Sequence, residues 1–232
     1  MVKQLYGGLG QNPFNPAMAA FALMIVAYPA LMSQWPGAGQ VGNAEQIQLI
    51  FGAERILDAM TSATPLDALR TGLREASGEV LTVSQILSQP AFGMAGGKGW
   101  ELVSLGYLLG GIFLLARGVI SWHMPVAFLA ALGGMAGVMH LIDPTQFASP
   151  LFHLASGGAM IGAFFIVTDP VSGATTPRGK LIYAASIGLM TWIIRNFGAY
   201  PDGVAFAVLL LNICVPLIDM NTQPPVFGHK KD

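Results

Sequence analysis

Outside residues 45–101, six stretches of 14 or more residues in this 232-residue chain carry no charged side chain, at 4–44, 102–116, 118–142, 144–168, 181–194 and 203–218. A helix that crosses a bilayer needs about 20 mostly apolar residues, with a range of about 17–25. The pattern therefore predicts six membrane segments, near 17–34, 101–118, 124–141, 151–168, 181–196 and 203–219. The last two are short or flanked by Pro and Gly, which admits a tilted, broken or half-inserted helix there.

The polar positions are as unevenly spread. Of 11 basic and 12 acidic residues, 11 fall between Glu45 and Glu101. Charge is penalised by depth in a bilayer and tolerated in loops, so this stretch reads as one long loop in water. The organisation that follows is a Gly-rich entry and first helix at 1–34, the loop at 35–100, five further segments at 101–219 and a tail at 220–232. An even number of segments leaves both ends on one side. That side holds Lys3, Arg117, Arg178, Lys180, Lys230 and Lys231, against Lys98 and Arg195 near segment ends on the other, where Arg55, Arg70 and Arg74 of the long loop lie too far from a segment to count. Short cytoplasmic loops collect Lys and Arg, which predicts cytoplasmic termini and an extracytoplasmic 35–100 loop. No cationic stretch precedes the first apolar run as a cleavable signal would require.

Composition narrows the function classes. The chain is 53% hydrophobic and 10% charged, with mean hydropathy +0.60, whereas soluble domains carry about 25% charge. Its solvent is lipid, and soluble catalysis is excluded. A net charge of −1 offers no basic face for nucleic acid. One cysteine, Cys214, cannot build a disulfide, a structural zinc site or an iron–sulfur cluster. His123, His140, His153 and His229 sit near segment edges without metal-ligand spacing, so no metal is expected and packing or backbone bonding is. Arg195, Asp202 and Asp219 bracket the last two segments and read as interfacial anchors or helix caps.

In the long loop, TPLDALRTGLRE at 64–75 places Leu66, Leu69 and Leu73 at helical spacing after Pro65 at a first helical position. Thr64 is then the N-cap, with Asp67 three residues on as its capping-box partner. The residues before it add a second reading. Asp58-Ala59-Met60-Thr61-Ser62-Ala63-Thr64 resembles the flavinylation signal Asp-x-x-(Ser/Thr)-x-Ala-Thr of the Rnf and Nqr electron-transfer complexes. In that signal the last threonine carries FMN through a phosphoester. Asp169-Pro170-Val171-Ser172-Gly173-Ala174-Thr175 fits the same pattern. In these families the transferase attaches FMN, taken from FAD, on the non-cytoplasmic side. The 169–180 loop, with Arg178 and Lys180, falls inside, so topology favours Thr64 and leaves Thr175 as a tight turn.

The resemblance extends over nearly the whole chain. KQLYGGLGQNPFNPAM at the start, FFIVTDPVSGATTPRG, and RNFGAYPDGVAFAVLLLNICVPLIDMNTQPPVFGHKK at the end resemble the family of Rnf complex D subunits. The B subunit of the sodium-pumping NADH:quinone oxidoreductase is the nearest alternative, and the ending PPVFGHKK sits better with Rnf. The resemblance implies an all-α integral membrane fold, part of a helical bundle like that of urea and ammonium channels. It implies a bacterial inner-membrane subunit, within a translocase, relaying electrons between ferredoxin and NAD while the complex moves an ion. Its partners would be the other Rnf subunits, a flavin transferase and the lipid bilayer, and no catalytic site would be complete in this chain alone. The site residues it implies are Thr64 for covalent FMN, Asp58, Thr61 and Ala63 as recognition positions, and Asn12 and Asn15 for a second flavin, riboflavin. Asn-Pro is also turn chemistry, and a non-redox channel or scaffold subunit on the same fold stands as the other class. Family members begin with roughly another hundred residues that hold several more membrane helices, so the resemblance implies that about the N-terminal third is missing here, whether as a truncated product or gene model or as a fragment.

Overall fold

The computed structural model describes residues 12–32, 35–36, 47, 51–52, 61–74, 81–200 and 202–224. Its order is α1 (Pro16–Ala27), α2 (Pro29–Met32), a two-residue antiparallel ladder of β1 (Trp35–Pro36) and β2 (Thr61–Ser62), α3 (Pro65–Arg74), α4 (Val83–Leu87), α5 (Trp100–Ala116), α6 (His123–Ile142), α7 (Pro150–Ala155), α8 (Ala159–Ile161) passing into a π-turn at Gly162–Ile166, α9 (Pro177–Phe197) and α10 (Val204–Thr222).

Four of these helices begin with an oxygen-bearing residue followed by proline. Asn15 Oδ1 accepts from the N–H groups of Ala17 and Met18 at 3.0 and 3.1 Å. Thr64, Ser149 and Thr176 accept from Asp67, Phe152 and Gly179 at 3.3, 3.3 and 2.9 Å. Proline at the first helical position lacks an N–H that would be unpaired there anyway, and the cap oxygen takes one that remains. At Thr64 only half of the expected capping box forms: the Asp67 N–H reaches Thr64 Oγ1, with no return bond from the Asp67 carboxylate. The full box forms instead at Thr82, whose side chain and backbone exchange bonds with Gln85.

Two described helices, α6 with 20 residues and α10 with 19, are long and apolar enough to cross a membrane, at mean hydropathy 1.8 and 2.0. α1 and α5 are apolar but shorter. α9 has 21 residues, about 31 Å at helical rise, and carries Arg178, Lys180 and Arg195 at its ends. Of the tilted, broken or half-inserted helices admitted for the last two segments, the broken form is not found. Both run without interruption, α10 even through Pro216, and the break lies in the fourth segment. There Ser156 turns extended, Gly157 takes φ +62 and the chain restarts at Ala159. Two adjacent glycines admit this turn, which any side chain would strain.

The core lies between α6 and α9. Phe128, Leu132 and Ala136 of α6 face Ala184, Ile187 and Gly188 of α9. A Cβ on Gly188 would stand 2.5 Å from the Phe128 carbonyl oxygen, so the two backbones meet directly, as small residues allow in membrane bundles. Outward faces are equally apolar, with Leu102, Phe113, Leu141, Ile213, Leu217 and Met220 all exposed. Such a surface suits lipid or a partner chain rather than water.

Part of the long loop folds onto one end of this bundle. Leu66, Leu69, Val83, Ile86, Phe92, Ala148 and Phe152 form a second apolar cluster that joins α3 and α4 to α7. Val83 N–H donates to the Thr145 carbonyl at 2.9 Å, and Glu101 Oε1 accepts from Ala95 and Gly96 at 2.6 and 2.8 Å.

Candidate functional site

α9 separates two polar clusters by its full length. At its start, the 169–176 turn is tied to the beginning of α1 and the end of α10. Asp169 Oδ2 accepts from Ser172 Oγ at 2.7 Å and from Asn15 Nδ2 at 3.3 Å. Thr175 donates through N–H and Oγ1 to the Asp219 carboxylate at 3.1 and 2.9 Å. Thr176 Oγ1 lies 2.6 Å from Thr222 Oγ1. Asn212 and Tyr183 close the cluster from within, with the Asn212 carbonyl accepting from Asn15 N–H at 2.8 Å once its amide is oriented to satisfy its neighbours. Every polar atom of the Asn15 side chain is thus engaged as a cap or by Asp169. Asn12 differs: it is buried, and its Oδ1 has no partner among the described residues.

At the far end of α9 lies the break in the fourth segment. Its first half, α7, ends on carbonyls and its second half begins on N–H groups, the negative and positive ends of helix dipoles. Arg195 and Asp202 meet them with matched sign. Arg195 Nη1 donates to the His153 carbonyl at 2.6 Å and Nη2 to the Ser156 carbonyl at 3.2 Å. Asp202 Oδ2 accepts from Gly158 N–H at 2.5 Å and Oδ1 from Val204 N–H at 3.4 Å, at the start of α10. The two side chains pair at 3.2 Å, Arg195 almost fully buried and Asp202 31% exposed. Arg195 and Asp202 are therefore helix-end partners, as expected, and the helix ends they meet are those of the break in the fourth segment.

α3 lies against this same end. Arg74 Nη2 reaches the carbonyls of Asn196 and Gly198 at 3.4 Å, and a Cβ on Gly157 would clash with Leu66 Cδ1 and stand 2.9 Å from Asp202 Oδ2. Gly157→Ala is expected to destabilise the protein by at least about 1–2 kcal/mol, the price of a left-handed side chain. Thermal unfolding of the detergent-solubilised protein checks it, and an unchanged midpoint contradicts the packing described. Between α3 and the bundle is a cavity of 340 Å³ lined by Leu66, Leu69, Arg70, Leu73, Arg74, Gln146, Phe147, His153, Arg195, Asn196 and Phe197.

The residues expected to carry function divide accordingly. Thr64 is partly exposed at the N-terminus of α3, and Ala63 before it is exposed. Thr61 lies in the ladder with Pro36. Asp58 is outside the described residues. Thr64 and Thr175 stand at opposite ends of α9, and Thr175 is held by Asp219 in a turn. No cluster of His, Cys, Asp or Glu able to hold a metal occurs among the described residues.

Residues 1–228 match the model of the NQR2, RnfD, RnfE family. The chain belongs to that family. It is 52% identical to the D subunit of the ion-translocating oxidoreductase complex of Yersinia pseudotuberculosis, across 99% of this chain and 69% of the relative. The proteins of the same name from Alcanivorax borkumensis and Erwinia tasmaniensis are 50% and 47% identical, across 99% of this chain and 67% and 69% of theirs. As a member of the NQR2, RnfD, RnfE family the chain is similar throughout to subunits of oxidoreductase complexes, which agrees with its lipid-suited surface. Arg70 and Arg74 of the cavity wall carry no expectation from the sequence, and His153, expected to pack or to bond backbone, lines the same cavity with its ring nitrogens unpartnered. The only signal was a pair of arginines, Arg70 and Arg74, one turn apart on an otherwise leucine-faced helix.

Proposed function

We propose that this chain is the membrane subunit of an Rnf-type complex and relays electrons between ferredoxin and NAD through FMN esterified to Thr64, while the complex moves an ion. The observation that carries the reading is the placement of Thr64: its hydroxyl caps a ten-residue helix on a partly exposed surface, at the bundle end opposite the Asp169–Thr175 turn. With the 35–100 loop outside and both termini in the cytoplasm, that end is the extracytoplasmic one.

The residues there fit the group. A helix N-terminus presents unpaired N–H groups and a positive dipole end to phosphate, and the adjacent cavity has apolar and aromatic walls in Leu69, Leu73 and Phe147 beside Arg70. A transferase would form one Thr64 Oγ–phosphorus bond and break the phosphoanhydride of FAD, with AMP leaving. Asp58, Thr61 and Ala63 are the positions such a transferase would read. Once bound, FMN supplies one-electron carriage, and the chain's own part is to hold it and set its electrostatic surroundings. A second flavin, riboflavin, would donate a hydrogen bond to Asn12 Oδ1 rather than meet Asn15, whose amide is already engaged.

Membranes expressing the whole complex with its transferase, run on a denaturing gel, test the reading. Flavin fluorescence should persist in Thr175→Val and vanish in Thr64→Val. The reverse pattern would overturn both site and orientation. Fluorescence in none of them, wild type included, would favour a scaffold subunit with Thr64 as a helix cap alone.

A further inference from the structure

We infer that the break in the fourth segment is a latched joint with a second, hydrated arrangement, in which Asp202 releases Arg195, α7 parts from α9 and water enters between them. The inference does not depend on flavin at Thr64.

The helix ends at the break are met by Arg195 and Asp202, but the side chains around them are not. Among the described residues nine buried side-chain atoms lack a hydrogen-bond partner, and six of them surround the break: both ring nitrogens of His153, Ser156 Oγ, Thr191 Oγ1, Trp192 Nε1 and Arg195 Nε. Each has under 1 Å² of accessible surface, so the packing seals out water as well. At the other end of α9 the same fold does satisfy such groups, and Asp169, Thr175, Tyr183 and Asn212 are all paired there. Buried polar groups nearly always find partners, and one that does not pays for its lost water in full. Six in one place raise the sealed arrangement in free energy and narrow its gap to one in which water reaches them. Local opening of this kind populates a minor state of the native protein.

The parts of a joint are present. Gly157 and Gly158 link α7 to α8 with no side chain to restrict their backbone angles, and α7 is only six residues long. The 340 Å³ cavity beside His153 and Arg195 gives their side chains room to turn. The latch is electrostatic. Arg195–Asp202 is the one ion pair among the described residues, and Asp202 is 31% exposed, so water competes for it. α3 forms the opposite wall of the cavity, and its Leu66 and Leu69 share an apolar cluster with Phe152 of α7. A shift of α3 on the water side therefore bears on α7 and on the latch.

Hydroxyl-radical footprinting of the intact complex in membranes tests the inference, because radicals formed from water oxidise aromatic and histidine side chains only where water reaches them. Met94, 98% exposed, reports the dose, and Tyr183, as buried as Trp192 at 1%, reports the rest of the core. Corrected for intrinsic reactivity, His153 and Trp192 should be oxidised several-fold faster than Tyr183. Thr191→Val keeps the shape and removes one unmet hydroxyl, which favours the sealed arrangement, so oxidation of both residues should fall about five-fold, the factor for the low end of that hydroxyl's cost. Asp202→Asn weakens the latch and should raise oxidation of both, with Tyr183 unchanged. Rates at His153 and Trp192 equal to that at Tyr183 in the wild type, or unmoved by Thr191→Val, would overturn the inference. A rise at Tyr183 in Asp202→Asn would mean that the whole core has loosened, and the Thr191→Val result then decides.

Discussion

Asp202→Ala is expected to destabilise the protein more than Arg195→Met, although the second removes the larger side chain. Removing Asp202 leaves the guanidinium of Arg195 buried against carbonyls with no counter-charge, and also unpairs Gly158 N–H. Breaking a buried pair in this way costs about 3–5 kcal/mol; the 31% exposure of Asp202 admits some water and places the loss toward the lower end. Arg195→Met removes the buried charge together with its donors. What remains is two carbonyls short of partners and a partly solvated carboxylate, about 1–3 kcal/mol. The double variant should then resemble Arg195→Met, giving a coupling of the size seen between contacting residues. Unfolding midpoints of the detergent-solubilised complex measure the series. Equal effects of the two single variants, with additivity in the double, would show that the pair does not hold the break together.

The second large effect separates the two roles of Thr64. Thr64→Asn keeps an N-cap oxygen, so α3 should retain its stability to within a few tenths of a kcal/mol, whereas Thr64→Val should lose about 1 kcal/mol. Neither variant has a hydroxyl for the phosphoester. Both should therefore lose covalent flavin completely and, with it, electron transfer between ferredoxin and NAD in the complex. Thr64→Ser should keep cap and attachment alike. Loss of activity in Thr64→Val with full activity in Thr64→Asn would mean that only the cap matters.

Several elements are legible in the sequence because their causes are local. Asn15-Pro16, Thr64-Pro65, Ser149-Pro150 and Thr176-Pro177 each announce a helix start through one side-chain oxygen and one missing N–H. Leu66, Leu69 and Leu73 announce the buried face of α3, and the charge-free runs mark where helices lie. The break at Ser156–Gly158 is not legible in the same way, since two glycines inside an apolar run are ordinary in a membrane helix. What makes them a break is Arg195 and Asp202, some forty residues later, and such a pairing has no period to read. The cavity is hidden for the same reason: it exists only where α3 lies against α7 and α9. Asp169–Thr175 shows the converse. Its residues match the flavinylation pattern, yet Asn15 and Asp219 hold them in a turn at the other end of the bundle.

The central claim is that Thr64 carries the flavin, and peptide mass spectrometry of the complex purified from membranes tests it most directly. Trypsin should release the peptide at 56–70, bounded by Arg55 and Arg70, which holds Thr61, Ser62 and Thr64. The account predicts that this peptide is heavier by one FMN less one water, with fragmentation placing the addition on Thr64. An unmodified 56–70 peptide beside a flavin-bearing Thr175 would contradict it.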